Sequence, residues 1–309
     1  IQELAFTLAN AIAYIEQARA RGLAVDEFAP RLSYSLGCFR DLFEEVAKFR
    51  AGRRLFARIM RDRFGASDPR SCLLRTFSGS CGSTLVSQQP LNNIVRITMH
   101  ALMGILGGHQ AIHTACWDEG FALPSEEAAI LALRTQQVLA HESGVANTID
   151  PLAGSYYVES LTNEIETRAA AYLEKIDGMG GMLRAIDCGY IGREIRDSSI
   201  RQQQAIDAGE TVVVGLNRFQ TPGEGDPAPA LFEADPTVEP RQKARVAALR
   251  AKRDAGEVGT SLAAVDAAIE AGRNVMPAVI RAVKAYATVG EIADIMRRRW
   301  GEYRAAVQL

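Results

Sequence analysis

Apolar positions along the chain follow two rhythms that take turns. Over Gln2–Arg21 they recur at helical spacing, and the pattern predicts an amphipathic helix. A second helix is predicted from about Asp41 to Phe64, where Val46, Phe49, Phe56, Ile59 and Met60 share one face. A third covers Asn92–Leu106, with Ile94, Ile97, Ala101 and Ile105 in period and Gly107-Gly108 as its stop. A fourth opens at Pro124-Ser125, with Glu126 and Glu127 in its first turn, and ends near Gly144. Between these helices lie strand-like stretches at Ala29–Gly37, Cys72–Ser80 and Gln110–Trp117. Thr148–Tyr157 is a candidate for a fourth strand or strand end. Strands alternating with helices imply an α/β fold with parallel pairing.

From Val158 onward the pattern is mainly helical, with one short strand candidate at Val212–Phe219. Thr221–Pro240 holds five of the eleven prolines and reads as an extended surface loop. The rest, Arg241–Leu309, reads as Ala- and Arg-rich helix, with Arg297–Arg299 on a solvated face. The sequence therefore divides into a strand-bearing region, 1–157, and a helical region, 158–309.

Composition narrows the function. The chain has 309 residues, ample for a core, and a net charge of −2, which argues against a general nucleic-acid or membrane-surface binder. No apolar run approaches the roughly 20 residues of a membrane span. The five cysteines (Cys38, Cys72, Cys81, Cys116 and Cys188) form no C-x-x-C pair, and we read them as reduced thiols of a cytoplasmic protein.

The strands themselves pose a question. Arg75–Thr84 reads RTFSGSCGST, where a core strand would carry Val, Ile and Leu. By alternation, one face of the first strand carries Arg31, Ser33, Ser35 and Gly37, and one face of the second carries Thr76, Ser78, Ser80 and Gly82. Such faces would leave room inside a barrel for a thin, partly polar guest; equally, they fit strand ends near loops.

A run of motifs bears on the choice. RLS (31–33), EEVAKFRAGRRLF (44–56), LLRTFSGSCGSTL (73–85), QQPLNNIVR (88–96), LGGHQAIHTACWDEGFALPSEE (106–127), RTQQVLAHESG (134–144) and DPLAGSYYVESLTNEIE (150–166) resemble the adenosylcobalamin-dependent acyl-CoA mutases, the methylmalonyl-CoA mutase family. The resemblance implies the carboxy-terminal half of a (β/α)8 barrel of the TIM type, followed by a mainly helical region. In that family the pantetheine arm of coenzyme A threads a channel lined by small hydrophilic residues. The implied activity is a radical carbon-skeleton rearrangement of a short-chain acyl-CoA, of the methylmalonyl-, isobutyryl- or 2-hydroxyisobutyryl-CoA kind. The cofactor carries the difficult step and the protein positions and shields.

The same resemblance assigns residues. Arg31 and Ser33 match the Arg-x-Ser that contacts coenzyme A, a role suited to a guanidinium fork and a hydroxyl. Ser35, Arg75 and Phe77 join them as substrate-binding candidates. Glu119, in WDEG, matches the glutamate that accepts from the adenosine ribose. Gly82 and Leu123 match positions near the corrin ring, and Gly79 and His113 complete the cofactor side. The resemblance implies no metal ligand here, and the family's active-site histidine lies outside the matching segments. One departure stands out: many relatives read Arg-Thr-His-x-Gln where this chain has Arg75-Thr76-Phe77-Ser78-Gly79. His109 stands where relatives commonly have Thr, and a structural role is expected for it.

Family cobalamin domains carry Asp-x-His-x-x-Gly. Thr98, Gly107, Ala111 and Leu139 stand two residues before the four histidines, so none fits. The expected partners are therefore a separate cobalamin-binding small subunit and a polypeptide that completes the barrel. A non-catalytic CoA-binding or scaffold subunit with the same fold is the alternative.

Overall fold

The computed structural model describes residues 1–221 and 232–304, which form two compact units, Ile1–Phe232 and Glu233–Leu309. In the first unit the order is α1 (Gln2–Ala20), α2 (Val25–Phe28), β1 (Tyr34–Cys38), α3 (Leu42–Arg58), β2 (Thr76–Ser80), α4 (Asn92–Leu106), β3 (Ala111–His113), α5 (Glu126–Glu142), α6 (Tyr156–Gly178), α7 (Met182–Asp187) and α8 (Tyr190–Asp207). The second unit holds α9 (Val238–Lys252), α10 (Ala255–Glu270), α11 (Met276–Lys284) and α12 (Val289–Trp300). The expected division at 157/158 separates strand-bearing from helical sequence, whereas the compact units part at Phe232/Glu233.

The three strands form one parallel sheet in the order β1-β2-β3. Helices start where the sequence places caps. The Asp41 carboxylate accepts from the backbone N–H groups of Phe43 and Glu44, both at 3.0 Å, and opens α3. Ser125 Oγ accepts from Ala128 N at 3.2 Å and opens α5. The main core lies among α1, α3 and α6, where Leu4, Leu8, Ile15, Ala47, Phe56 and Ile165 are buried. Arg54 and Arg58 of α3 both pair with Glu166 of α6 and reinforce this contact.

The strands are shorter than the sequence pattern predicts. Ala29–Arg31 is a 3-10 turn set by Pro30, so β1 starts only at Tyr34 and Arg31 sits on the turn before it. Pro69–Cys72 is a second such turn, and β2 starts at Thr76. β3 keeps three residues of the predicted eight, because Thr114 onward turns away to pack on α5. The fourth strand candidate is not a strand. Asp150 has a positive φ of 48°, a turn follows at Pro151–Gly154, and α6 begins at Tyr156. Val212–Phe219 is a tight turn with one bridge, Val214 to Arg218. Of the predicted loop at 221–240, residues 222–231 lie outside the described residues, and 238–240 begin α9.

The register also decides between the faces, which alternation left open. Ser35 lies beside Phe77 and Gly37 beside Gly79, and Phe77 and Gly79 lie beside Ala111 and His113. These six residues share one face, which is open. Thr76 and Ser78 are on the other, covered by α3 and α4 with Leu36, Cys38, Phe49 and Met103. Their small size serves helix packing: Gly104 of α4 comes so close that an added Cβ would lie 3.2 Å from Ser78 Oγ.

In the second unit, Val265, Ala282, Ile292 and Ile295 form the core. Thr288 and Glu291 close a capping box on α12, and Arg253 pairs with Glu291. Arg297–Arg299 are exposed as expected, yet Arg299 also pairs with Asp266 at 2.6 Å, tying α12 to α10.

Candidate substrate and cofactor site

The open face of the sheet has two chemically different ends. At the amino ends of the strands lie Arg31 and Ser33, both exposed, then Arg75 and Gln110. Arg75 and Gln110 border a cavity of about 560 Å³ whose wall also includes Arg50, Arg53 and Asp150. Arg54 and Glu159 also line it; Arg50 pairs with Asp150 and Glu159, and Arg54 with Glu166, which leaves Arg53 and Arg75 without a carboxylate partner among the described residues. Arg75 Nη1 is buried without a hydrogen-bond partner among the described residues. Gln110 was not singled out from sequence. It fixes the start of β2, because the Thr76 N–H donates to its Oε1 at 2.6 Å.

The middle of the face is Ser35, Gly37, Phe77, Gly79, Ala111 and His113. The Phe77 ring is 41% exposed and tilts toward His113, with centroids 6.4 Å apart. Phe77 was assigned to the substrate, and Gly79 and His113 to the cofactor; the register brings all three together. A Cβ at Gly79 would touch Phe77 Cε1 at 3.8 Å and His113 Cβ at 3.9 Å, which is ordinary contact.

At the carboxyl ends, two loops meet. Gly82 begins a 3-10 turn after β2, and Glu119 follows β3. They are neighbours: a Cβ on Gly82 would overlap the Glu119 carboxylate. Asn93 stitches the two loops together. It is fully buried, and its Nδ2 donates to Val86 O at 2.8 Å and to Trp117 O at 2.9 Å. Asp118, also buried, accepts from Ser125 N at 2.9 Å. Glu119 itself remains exposed on this frame, as does Leu123. Asn93 lies in the motif QQPLNNIVR, but its role as a stitch between loops emerges only in the fold.

Electrostatics exclude some chemistry. Burial pushes the Cys81 thiol up to about 11 and raises Cys116, so neither is a ready thiolate. Burial, with Lys48 and Arg53 nearby, holds His109 down at about 3, and its ring packs edge-on against Phe49 with centroids 3.8 Å apart. His109 is thus a neutral packing residue set away from the open face. Among the described residues, no group of three or more His, Cys, Asp or Glu side chains is placed to hold a metal ion.

Comparison with known proteins adds to this geometry. The family profile described as Methylmalonyl-CoA mutase matches residues 1–302. The chain is 44% identical over 305 residues to the 2-hydroxyisobutanoyl-CoA mutase large subunit of Aquincola tertiaricarbonis, covering 98% of this chain and 54% of that protein. It is 42% identical over 306 residues to the methylmalonyl-CoA mutase of Rhizobium meliloti, covering 99% and 43%. The mitochondrial methylmalonyl-CoA mutase of Homo sapiens is 37% identical over 306 residues, covering 99% and 41%. The chain therefore spans about half, or less, of the length of the curated relatives it matches.

Proposed function

The chain belongs to the methylmalonyl-CoA mutase family, and from that premise we propose that it is the substrate-binding large subunit, or part of one, of an adenosylcobalamin-dependent acyl-CoA mutase. The observation that carries this reading is the order along the sheet: Arg31 and Arg75 at the amino ends of the strands, an open middle of small side chains and one aromatic ring, and the Glu119 carboxylate at the carboxyl end. Five strand residues span roughly 17 Å at about 3.3 Å each, a length that suits an extended pantetheine arm. Arg31, Ser33 and Arg75 would hold the nucleotide end through charge-assisted bonds. Ser35 and Phe77 would line the arm and the acyl group.

The carboxyl end fits the cofactor. The Glu119 carboxylate lies against Gly82 and is exposed, so at this end it can accept from the vicinal hydroxyls of a ribose. When bound, adenosylcobalamin supplies a carbon radical by opening its cobalt–carbon bond. This chain's part is to bind, orient and exclude water. Gly79 and His113 would face the same end. We read the three strands as the carboxy-terminal part of a (β/α)8 barrel, completed by a further polypeptide segment, with a separate cobalamin-binding subunit docking at Gly82, Glu119 and Leu123. The sequence of the acyl pocket, with Phe77 in place of the His common in relatives, supports a less polar acyl group such as 2-hydroxyisobutyryl or isobutyryl. That same residue favours the second reading, a CoA-binding subunit without turnover. The five unpaired cysteines support a cytoplasmic setting, and among the described residues no helix is long and apolar enough to cross a membrane.

Hydrogen–deuterium exchange of the intact protein with and without an acyl-CoA tests the reading. Protection is expected at 31–37, 75–82 and 110–113. Protection confined to other segments would overturn it.

A further inference from the structure

A second cavity lies away from the open face. It has a volume of about 330 Å³ and sits on the helix-covered side, between the Phe39–Arg40 turn after β1, the outer flank of α4, and Val212–Val214. Its wall is mostly apolar, with Met99, Met103 and Val213 contributing. Two cations break that character. Arg96, one turn into α4, is held in place: its Nη1 donates to Asn93 Oδ1 at 2.7 Å and its Nη2 to Val214 O at 2.7 Å. Arg40 stands across from it at the end of β1 and is exposed.

Both guanidinium groups border this one hollow. Burial and then Arg40 lower the pKa of Arg96, and burial lowers that of Arg40. Among the described residues, no carboxylate pairs with either arginine, so the repulsion is not offset. A third polar group borders the same hollow. His100 is 3% exposed, and its Nδ1 has no hydrogen-bond partner among the described residues. Its other nitrogen lies 3.4 Å from Thr84 Oγ1. Burial, with Arg40 and Arg96 adding to it against the nearby Phe39 backbone, holds its pKa at about 4, so it is neutral at ordinary pH and adds no third charge.

Two cations with no carboxylate partner among the described residues, at the mouth of an apolar hollow, describe an amphipathic anion in negative. We propose that this cavity binds a small organic carboxylate, its head group between Arg40 and Arg96 and its alkyl chain against Met99, Met103 and Val213. A carboxylate there would take charge-assisted bonds from both guanidinium groups and remove their mutual repulsion. The chain would cover apolar wall now open to water. The site is separate from the acyl-CoA face, and the inference does not depend on that reading.

Isothermal titration of the intact protein with octanoate tests it, with octanamide and inorganic phosphate as companions. Octanoate is expected to bind at millimolar concentration or below, and octanamide and phosphate each about tenfold or more weaker. Arg40→Gln, at an exposed position, should weaken octanoate by about tenfold. Met99→Glu sets a carboxylate beside the arginines and should abolish binding while the protein still melts cooperatively. Saturating coenzyme A should leave octanoate binding unchanged. No binding, equal binding of octanamide or phosphate, indifference to Arg40→Gln, or displacement by coenzyme A would each overturn the proposal.

Discussion

At the scale of single residues, the candidate site depends on what glycines and one phenylalanine leave room for. A Cβ at Gly82 would have to displace the Glu119 carboxylate. If Glu119 steers a bound ribose, then Glu119→Gln and Gly82→Ala should fail in the same way, the first by removing charge and the second by displacing the side chain. Each should slow cob(II)alamin formation about tenfold or more while cofactor docking persists. Stopped-flow absorbance measures this, and wild-type rates in both variants would remove Glu119 from that role. Phe77 supports a second prediction. Its ring is half exposed beside His113, and Gly79 leaves the space next to it open. Phe77→His with Gly79→Gln should shift relative kcat/KM among acyl-CoAs toward the more polar acyl groups; unchanged selectivity would show that the pair does not line the pocket. Arg31, Glu119 and Gly82 were legible in the sequence because they sit in motifs. Arg96 sits in such a motif as well, but Arg40 and His100 do not, and only folding brings the three side chains to one hollow.

At the scale of elements, helices were more legible than strands, for a physical reason. The apolar period over Asn92–Leu106 coincides with α4, and Ser125 caps α5 as read. Strand ends depend on pairing partners, which alternation does not reveal. Pro30 converts Ala29–Arg31 to a turn, and Asp150 to Gly154 form another where a fourth strand was expected. Alternation left open which face of each strand looks outward: packing and register decide that it is Phe77 rather than Ser78. The outer edge of β1 shows how side chains stand in for a strand. Gly37 N donates to Glu3 Oε1 at 2.6 Å, and Gly37 O accepts from Lys48 Nζ at 2.8 Å. Lys48 is 3% exposed and also donates to Glu3 Oε2 at 2.6 Å and Glu45 Oε2 at 2.7 Å. Burial opposes its charge, and the two carboxylates outweigh burial, so its pKa lies above the usual lysine value. Lys48→Met would leave the buried Glu45 and the edge carbonyl unpartnered. The expected cost is about 3 kcal/mol or more, read as a lower urea midpoint. Glu3→Gln with Glu45→Gln on that background should recover part of the loss. A midpoint unchanged by Lys48→Met would show that the edge is held by other contacts.

At the scale of the whole molecule, the three-stranded sheet leaves its candidate site in the open. Phe77 is 41% exposed, and Ser35, Ala111, His113 and Glu119 are all exposed as well. Radical chemistry needs the opposite, a closed space from which water and stray hydrogen donors are shut out. The described residues provide a floor for such a space and one set of loops at its end, with no wall across from the floor. The relatives that carry the mutase names are about twice as long as this chain or longer, so the rest of their length is available for that wall. We therefore expect the 309-residue chain alone to show no turnover of methylmalonyl-, isobutyryl- or 2-hydroxyisobutyryl-CoA when given adenosylcobalamin. Native mass spectrometry should find the active form in a complex, with a cobalamin-binding subunit and with polypeptide that closes the barrel. Adding those components to the purified chain should restore turnover, and burial of the open face should appear as loss of solvent access at Phe77 and His113. Turnover by the chain alone would mean that the face is closed by its own residues. A complex that leaves Phe77 and His113 as accessible as before would mean that this face is not the radical site.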